Sequence, residues 1–107
     1  MLSQAQLSEF IKPMINALPT SARVILFGSY ARNEADEGSD IDLLVVANDF
    51  PDKANAYLSL KSALGRSTIG VDLVLMTLTE FEKRSQVPGT LPYWAKKEGK
   101  ICYDSLS

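Results

Sequence analysis

The sequence predicts an α/β (α+β) fold, a small sheet of three to four strands flanked by helices. Three short segments are apolar at almost every position, which is typical of strands covered on both faces. They are residues 22–27 (ARVILF), 41–47 (IDLLVVA) and 70–76 (GVDLVLM). The segments around them repeat apolar residues every three or four positions, as helices that pack one face on a sheet do. Because 107 residues suit one ordinary domain, we expect a single domain over residues 1–107.

The first helix precedes the first strand. Its apolar positions recur at helical spacing from Leu7 to Leu18, and Ser3 is placed to cap its N-terminus. Pro13 interrupts this pattern, so we expect either one kinked helix or two short ones. The first strand then ends at Gly28, after which the chain has room for one short helical turn.

Helices also follow the second and third strands. Residues 53–64 have helical spacing. Thr79 with Glu82 three residues later is typical of a capping box, which predicts that a helix begins there. Two further elements are expected after it, a last helix at 90–97 and a short strand at 100–103.

The composition excludes several kinds of catalytic site. The chain has no histidine, which rules out Ser-His-Asp and Cys-His catalysis and any zinc site with histidine ligands. The single cysteine, Cys102, forms neither an internal disulfide nor a four-cysteine metal site. With 11 Lys and Arg against 13 Asp and Glu the net charge is −2, so no global positive field attracts nucleic acid. Carboxylates, hydroxyls, lysines and arginines remain, which favours metal-assisted chemistry.

No membrane span is expected either. The longest unbroken apolar run, residues 43–47, is far shorter than the roughly 20 residues that cross a bilayer. The first residues lack the basic region and apolar stretch of a secretory signal. We therefore expect a cytoplasmic protein, in agreement with the single cysteine.

The informative residues are acids inside apolar strands. Asp40 and Asp42 are two positions apart, so a strand points both side chains to the same face. Asp72 lies at the start of an equally apolar strand, and no Lys or Arg is within four residues of any of the three. A desolvated carboxylate is costly unless it is paired or bound to a metal. If the three acids converge, Mg²⁺ is the natural ion between them because it prefers oxygen ligands. An Asp-x-Asp pair alone is common on protein surfaces, where both acids are solvated.

Gly28 and Ser29, directly after the first strand, are a candidate phosphate-binding turn. Glycine lets the backbone approach a ligand closely, and a serine there offers a hydroxyl and a backbone N–H to an anion. A plain strand-to-helix turn with Ser29 as N-cap is the alternative interpretation. The turn is not a Walker loop, since no Gly-Lys-Ser/Thr follows it.

Together these residues resemble the nucleotidyltransferase signature of the DNA polymerase beta superfamily, in which Gly-Ser is followed by Asp-x-Asp and by a third Asp on a later strand. The chain has FGSYARNEADEGSDIDLLVV at 27–46 and GVDLVLM at 70–76. It resembles in particular the minimal nucleotidyltransferases (MNT), the antitoxin partners of HEPN toxins, which also carry Gly-Ser-x-Ala-Arg and Ser-Asp-Ile-Asp-Leu. Where the family often has Gly after Ala-Arg, this chain has Asn33, the next residue most tolerant of a left-handed backbone.

The resemblance implies a polymerase-beta-like core with a small mixed sheet, and a role for each signature residue. It assigns catalysis and the binding of Mg²⁺, with two ions, to three acids: Asp40, Asp42 and Asp72. It assigns the triphosphate of ATP to Gly28 and Ser29. Arg32 is a candidate for the same nucleotide-binding role, although a solvated arginine is equally compatible with the sequence.

The same resemblance implies a protein adenylyltransferase that moves AMP from ATP to a tyrosine of a cognate HEPN toxin and thereby acts as its antitoxin. We expect a heteromeric complex with that toxin, no template nucleic acid and no membrane. Two alternatives stay open: an antitoxin that neutralises its toxin by binding alone, and a nucleotidyltransferase acting on a small molecule such as an antibiotic. Leu91, Tyr93 and Trp94 either contact the partner or cap the small core.

Overall fold

The computed structural model describes residues 2–65 and 69–106. Its helices and strands follow one another in this order: α1 (Gln4–Asn16), β1 (Ala22–Phe27), α2 (Gly28–Ala31), β2 (Ile41–Ala47), α3 (Lys53–Leu64), β3 (Val71–Thr77), α4 (Leu78–Arg84), α5 (Leu91–Glu98) and β4 (Lys100–Asp104). Within the described residues, no helix is both long and apolar enough to cross a membrane.

The strands form one four-stranded sheet in the order β3-β2-β1-β4. β2 is parallel to β3 and antiparallel to β1, and β1 is antiparallel to β4. The sheet is therefore mixed, and the predicted α/β (α+β) class is confirmed. The parallel pair is joined through α3, as a crossover between parallel strands requires.

The apolar core lies in two layers because alternate strand residues face opposite sides of the sheet. α1 and α3 cover one face, where Ile41 and Leu43 of β2 are fully buried. α4 and α5 cover part of the other face, through Phe81 and Ala95 packed near Leu44. Covering on both sides explains why β1, β2 and β3 read as continuous apolar runs.

The helix after β3 begins two residues before its predicted start. Its capping box consists of Thr77 and Glu80: the Thr77 hydroxyl accepts from the Glu80 N–H at 3.1 Å, and the Glu80 carboxylate accepts from the Thr77 N–H at 3.2 Å. The predicted box of Thr79 and Glu82 is wrong. β3 pairs with β2 as far as Thr77, and the chain enters α4 there without an intervening loop.

The remaining elements agree closely with the expectations. Ser3 caps α1 in a capping box, and α1 is one helix with Pro13 inside it rather than two short ones. Ile11 and Met14, buried on either side of the proline, hold both parts of α1 against the same core. α2 is the expected short turn, but Phe27 is its N-cap, so Ser29 is not.

β4 is an edge strand, and all five of its residues are exposed. Its register with β1 is irregular between Val24 and Ile25. Ser105, just beyond β4, ties this edge to the start of β1: its N–H donates to the Ala22 carbonyl at 2.9 Å, and its hydroxyl accepts from the Ala22 N–H at 2.9 Å.

Candidate active site

The sheet topology brings the predicted site residues to one edge. Because β1 is antiparallel to β2 and β2 is parallel to β3, the C-terminal end of β1 meets the N-terminal ends of β2 and β3. In this register Asp42 lies between Phe27 on β1 and Asp72 on β3. The Gly28–Ser29 turn leaves β1 at the same edge.

The acids share one face of the sheet, as predicted. Ile41 and Leu43 are fully buried in the layer beneath α1 and α3, so Asp40 and Asp42 project to the opposite face. Asp72, which pairs with Asp42 in the parallel register, points the same way. This is the face that α4 and α5 cover only in part. Asp42 is half-buried there, while Asp40 and Asp72 are exposed.

The carboxyl groups of Asp42 and Asp72 are neighbours across the parallel pair of strands. The pKa of Asp42 is raised from 3.8 to about 6, chiefly by burial and then by the interaction with the Asp72 carboxyl group and the charges of Asp72 and Asp40. Arg32 acts in the opposite sense and lowers the pKa of Asp42. Two carboxylates this close repel each other when both are ionised, and a proton on Asp42 relieves that repulsion.

Two glycines make room for the acids. A Cβ atom on Gly28 would overlap Oδ2 of Asp42 and lie 3.1 Å from its Cγ. A Cβ atom on Gly70, the residue before β3, would overlap Oδ1 of Asp40 and lie 3.0 Å from its Cγ. Each of these aspartate side chains thus packs directly on the backbone of a glycine, where any side chain would displace it. Gly28 was predicted from its signature, whereas Gly70 belongs to no motif of the sequence.

The Gly28–Ser29 turn uses two left-handed residues. Gly28 has φ +73°, and Asn33, a few residues later, has φ +60°. Between them the chain makes the single turn of α2, which the Glu34 N–H closes by donating to the Ser29 carbonyl at 2.9 Å. The expectation that Asn33 keeps the conformation of the glycine found in related sequences is confirmed.

Arg32 is the cation beside this acid cluster. Its Nε lies 3.2 Å from Glu34 Oε2, and its Nη1 lies 3.6 Å from Glu98 Oε2 at the end of α5. The opposing effect of Arg32 on the pKa of Asp42 reflects its proximity to the acids. Neither glutamate was predicted from the sequence. Glu34 could have been found from its position two residues after Arg32, whereas Glu98 comes near Arg32 only through the packing of α5.

The donor set of the site suits Mg²⁺. Its three side chains supply only carboxylate oxygens, which is the chemistry that this ion prefers. In residues 2–65 and 69–106 no group of three or more His, Cys, Asp or Glu side chains is already gathered as a metal site. Asp42 instead lies beside Asp72 in the parallel register, and Asp40 lies over Gly70. Because these carboxylates come from neighbouring strands and lie on one face of the sheet, the residues fit the ion.

A separate groove lies on the other face of the sheet. It has a volume of about 700 Å³ and runs between α1 and β4, with Leu7, Tyr30 and Cys102 among its lining residues. None of the three acids lines it. The Tyr30 hydroxyl accepts from the Leu2 N–H at 3.2 Å, just before α1, and its ring packs on the core layer beneath α1 rather than against the acids.

Comparison with known proteins places the sequence in a family. The family described as "Nucleotidyltransferase domain" matches residues 7–98. A Methanocaldococcus jannaschii protein, MJ0141, named as a candidate protein adenylyltransferase, is 40% identical over 53 residues, which are 50% of this chain and 52% of that protein. The chain thus spans about half the length of this curated relative.

Solved structures with the same fold include two toxin–antitoxin complexes. A chain of a toxin–antitoxin structure with AMP-PNP has a TM-score of 0.61 and 26% identity, over 92% of this chain and 74% of that one. A chain from a complex of tri-AMPylated Shewanella oneidensis HEPN toxin with MNT antitoxin has a TM-score of 0.53 and 28% identity, over 94% and 72%. The expected polymerase-beta-like core is confirmed by these neighbours.

Proposed function

Because this chain belongs to the nucleotidyltransferase domain family, we propose that it is an Mg²⁺-dependent enzyme that transfers AMP from ATP to a protein hydroxyl. The acceptor is a tyrosine of a cognate HEPN toxin, and its modification makes this chain the antitoxin. The relative named for protein adenylyltransferase activity and the neighbour with an AMPylated HEPN toxin support this proposal.

One observation carries the proposal. The Asp42–Asp72 carboxyl pair lies beside the Gly28–Ser29 turn, at the same edge and on the open face of the sheet. Acids placed this way have no structural use that would offset the cost of bringing them together. Beside a turn that can bind phosphate, these acids can hold the metal ion that a transfer of a phosphoryl group needs.

The turn and Arg32 hold the nucleotide. Gly28 has no side chain, so the triphosphate can approach the backbone there, and Ser29 supplies a hydroxyl and an N–H to its oxygens. Arg32 contributes a guanidinium group at the mouth of the site, held by Glu34 and Glu98. A guanidinium is well suited to phosphate because its donors form a planar fork.

The reaction is an in-line displacement at the α-phosphorus of ATP. The tyrosine oxygen forms a bond to that phosphorus, the bond to the oxygen bridging the α- and β-phosphates breaks, and pyrophosphate leaves. Asp72 is the more exposed carboxyl group of the Asp42–Asp72 pair, and it accepts the proton of the attacking hydroxyl. Asp40, Asp42 and Asp72 would hold Mg²⁺, which supplies charge stabilisation to the attacking and leaving oxygens when bound.

A transfer assay tests the proposal. Purified chain, α-labelled ATP and Mg²⁺ are added to a native lysate of the source cell, beside an Asp42→Ala variant. We expect one labelled protein with the unmodified chain and none with the variant, because the variant lacks the central acid of the site. Tryptic mapping of the labelled band then identifies the modified residue, expected to be a tyrosine.

The same assay separates the alternatives. If both chains label the band equally, Asp42 has no part in the chemistry. If neither chain labels protein and an Asp40→Ala, Asp42→Ala double variant still protects cells from the toxin, neutralisation is by binding alone. Labelling of a purified small-molecule hydroxyl compound by the unmodified chain alone would identify a small-molecule transferase instead.

A further inference from the structure

The side of α5 that carries Trp94 and Glu98, called here the α5 flank, meets Arg32 at its Glu98 end. Residues four apart in a helix lie on the same side, so Trp94 and Glu98 are neighbours along α5. Glu98 lies 3.6 Å from the Arg32 guanidinium, and the charge of Arg32 acts on Asp42. Trp94 is therefore one helical turn, about 6 Å along the axis, from the residue that contacts Arg32.

Trp94 has the properties of a stacking platform. Its side chain remains 45% exposed, whereas Pro92 and Ala95 of the same helix are buried against the sheet. Among the six large hydrophobic side chains that the described residues leave exposed, Trp94 is the one that α5 carries. An exposed aromatic face beside a phosphate-binding region is the arrangement that binds a nucleobase by stacking.

The indole is also held in place. The Tyr93 ring meets the Trp94 ring edge to face, with centroids 5.2 Å apart and planes at 85°. Tyr93 is itself held by Lys97, whose Nζ lies 5.6 Å from the centre of its ring and donates to its hydroxyl at 3.4 Å. A ring that is already oriented loses little conformational entropy when a ligand stacks on it.

We propose that Trp94 binds the base of the nucleotide, with the purine ring stacked on its exposed face. The inference rests on the proposed function, since it requires the triphosphate at Gly28–Ser29. From there the ribose spans the Arg32 side chain and directs the base toward the α5 flank. The signature residues thus bind the phosphates, while a residue outside the signature binds the base.

Trp94 is the only tryptophan of the chain, so its fluorescence reports on this one position. Titration with MgATP should quench its emission, with the same midpoint as binding measured by equilibrium dialysis. Inorganic triphosphate with Mg²⁺ should bind without quenching, because it has no base. Binding of MgATP without any change in emission would overturn the stacking proposal and leave the proposed function intact. Absence of MgATP binding by dialysis would overturn both.

Substitutions provide a second readout. Trp94→Ala should weaken MgATP binding on the order of tenfold and leave the binding of inorganic triphosphate unchanged, and Trp94→Phe should retain most of the affinity. The matched control is Tyr57→Ala, an aromatic that is 38% exposed on α3, which covers the other face of the sheet. Tyr57→Ala should change neither affinity nor quenching.

A docking surface for the acceptor protein would give a different result. If Trp94 contacted the acceptor protein instead of the base, the Trp94→Ala variant would bind MgATP normally but fail to label the acceptor. This outcome would overturn base stacking. Thermal melting of each variant checks that the fold is retained.

Discussion

At the scale of single residues, Gly28 has the greatest steric consequence for the site. A methyl group there would overlap the carboxylate of Asp42, and the backbone has φ +73°. We expect Gly28→Ala to abolish AMP transfer by displacing Asp42. We also expect it to lower the free energy of unfolding by about 1–2 kcal/mol, the cost of a left-handed alanine. Urea denaturation and the label-transfer assay measure the two effects.

Gly89→Ala is the matched control for this substitution. Gly89 has φ +89° but no atom within 4 Å of the position of an added Cβ. The backbone cost is therefore similar, without any contact with an acid. Gly89→Ala should lose stability and keep AMP transfer, and equal loss of transfer in both variants would show that the contact with Asp42 is not the cause.

The Asp42–Asp72 pair makes stability depend on pH. The pKa of Asp42 is about 6 in the folded protein against 3.8 in its ordinary state, so the folded chain binds the extra proton more tightly. Without metal, the contribution of Asp42 to the free energy of unfolding should therefore fall as the pH rises from about 4 to 6 and then level off. Thermal melts in EDTA measure this dependence. In Asp42→Asn the decrease over that range should be smaller, and an unchanged decrease would assign it to other groups.

Mg²⁺ should reverse this loss. At pH 7 a cation bound by the acids offsets their repulsion, so added Mg²⁺ should raise the melting temperature. The rise should be smaller at pH 5, where the proton on Asp42 competes with the ion. Calorimetric melts with and without Mg²⁺ at both pH values test this, and an equal rise in Asp42→Asn would place the ion elsewhere.

At the scale of elements, the turn from β3 into α4 depends on Thr77. Its hydroxyl accepts from the Glu80 N–H, and no loop separates the strand from the helix. Thr77→Ala should therefore lower the free energy of unfolding by about 1 kcal/mol, whereas Thr79→Ala, an exposed site within the first turn of α4, should cost less. Urea denaturation of the two variants checks this, and equal costs would remove the special role of Thr77.

This turn also illustrates what local patterns cannot decide. The Thr-x-x-Glu pattern occurs twice in overlapping positions, as Thr77 with Glu80 and as Thr79 with Glu82. Choosing between them requires knowing that β3 pairs with β2 as far as Thr77, which is a tertiary fact. α3, by contrast, has no competing pattern, and both of its ends agree with the prediction.

At the scale of the whole molecule, the order of the strands assembles the site. The spacing of Asp40 and Asp42 was sufficient to predict that they share a face, because that property is local to one strand. The pairing of Asp42 with Asp72 follows from a parallel register that no local pattern displays, and it was expected through family resemblance. The contacts of Asp40 with Gly70 and of Arg32 with Glu98 depend on packing between distant segments, so the sequence alone did not predict them.

The position of β4 has a consequence for the order of events during synthesis. β1 is an inner strand of the sheet, yet its partner on one side arrives late: Arg23 contacts Asp104, 81 residues further along the chain. A ribosome therefore releases β1, β2 and β3 with all three acids before it releases α5 and β4. The nascent chain would acquire its carboxyl cluster first and the α5 flank last. The chain would then bind a nucleotide fully only after its last elements, α5 and β4, have folded.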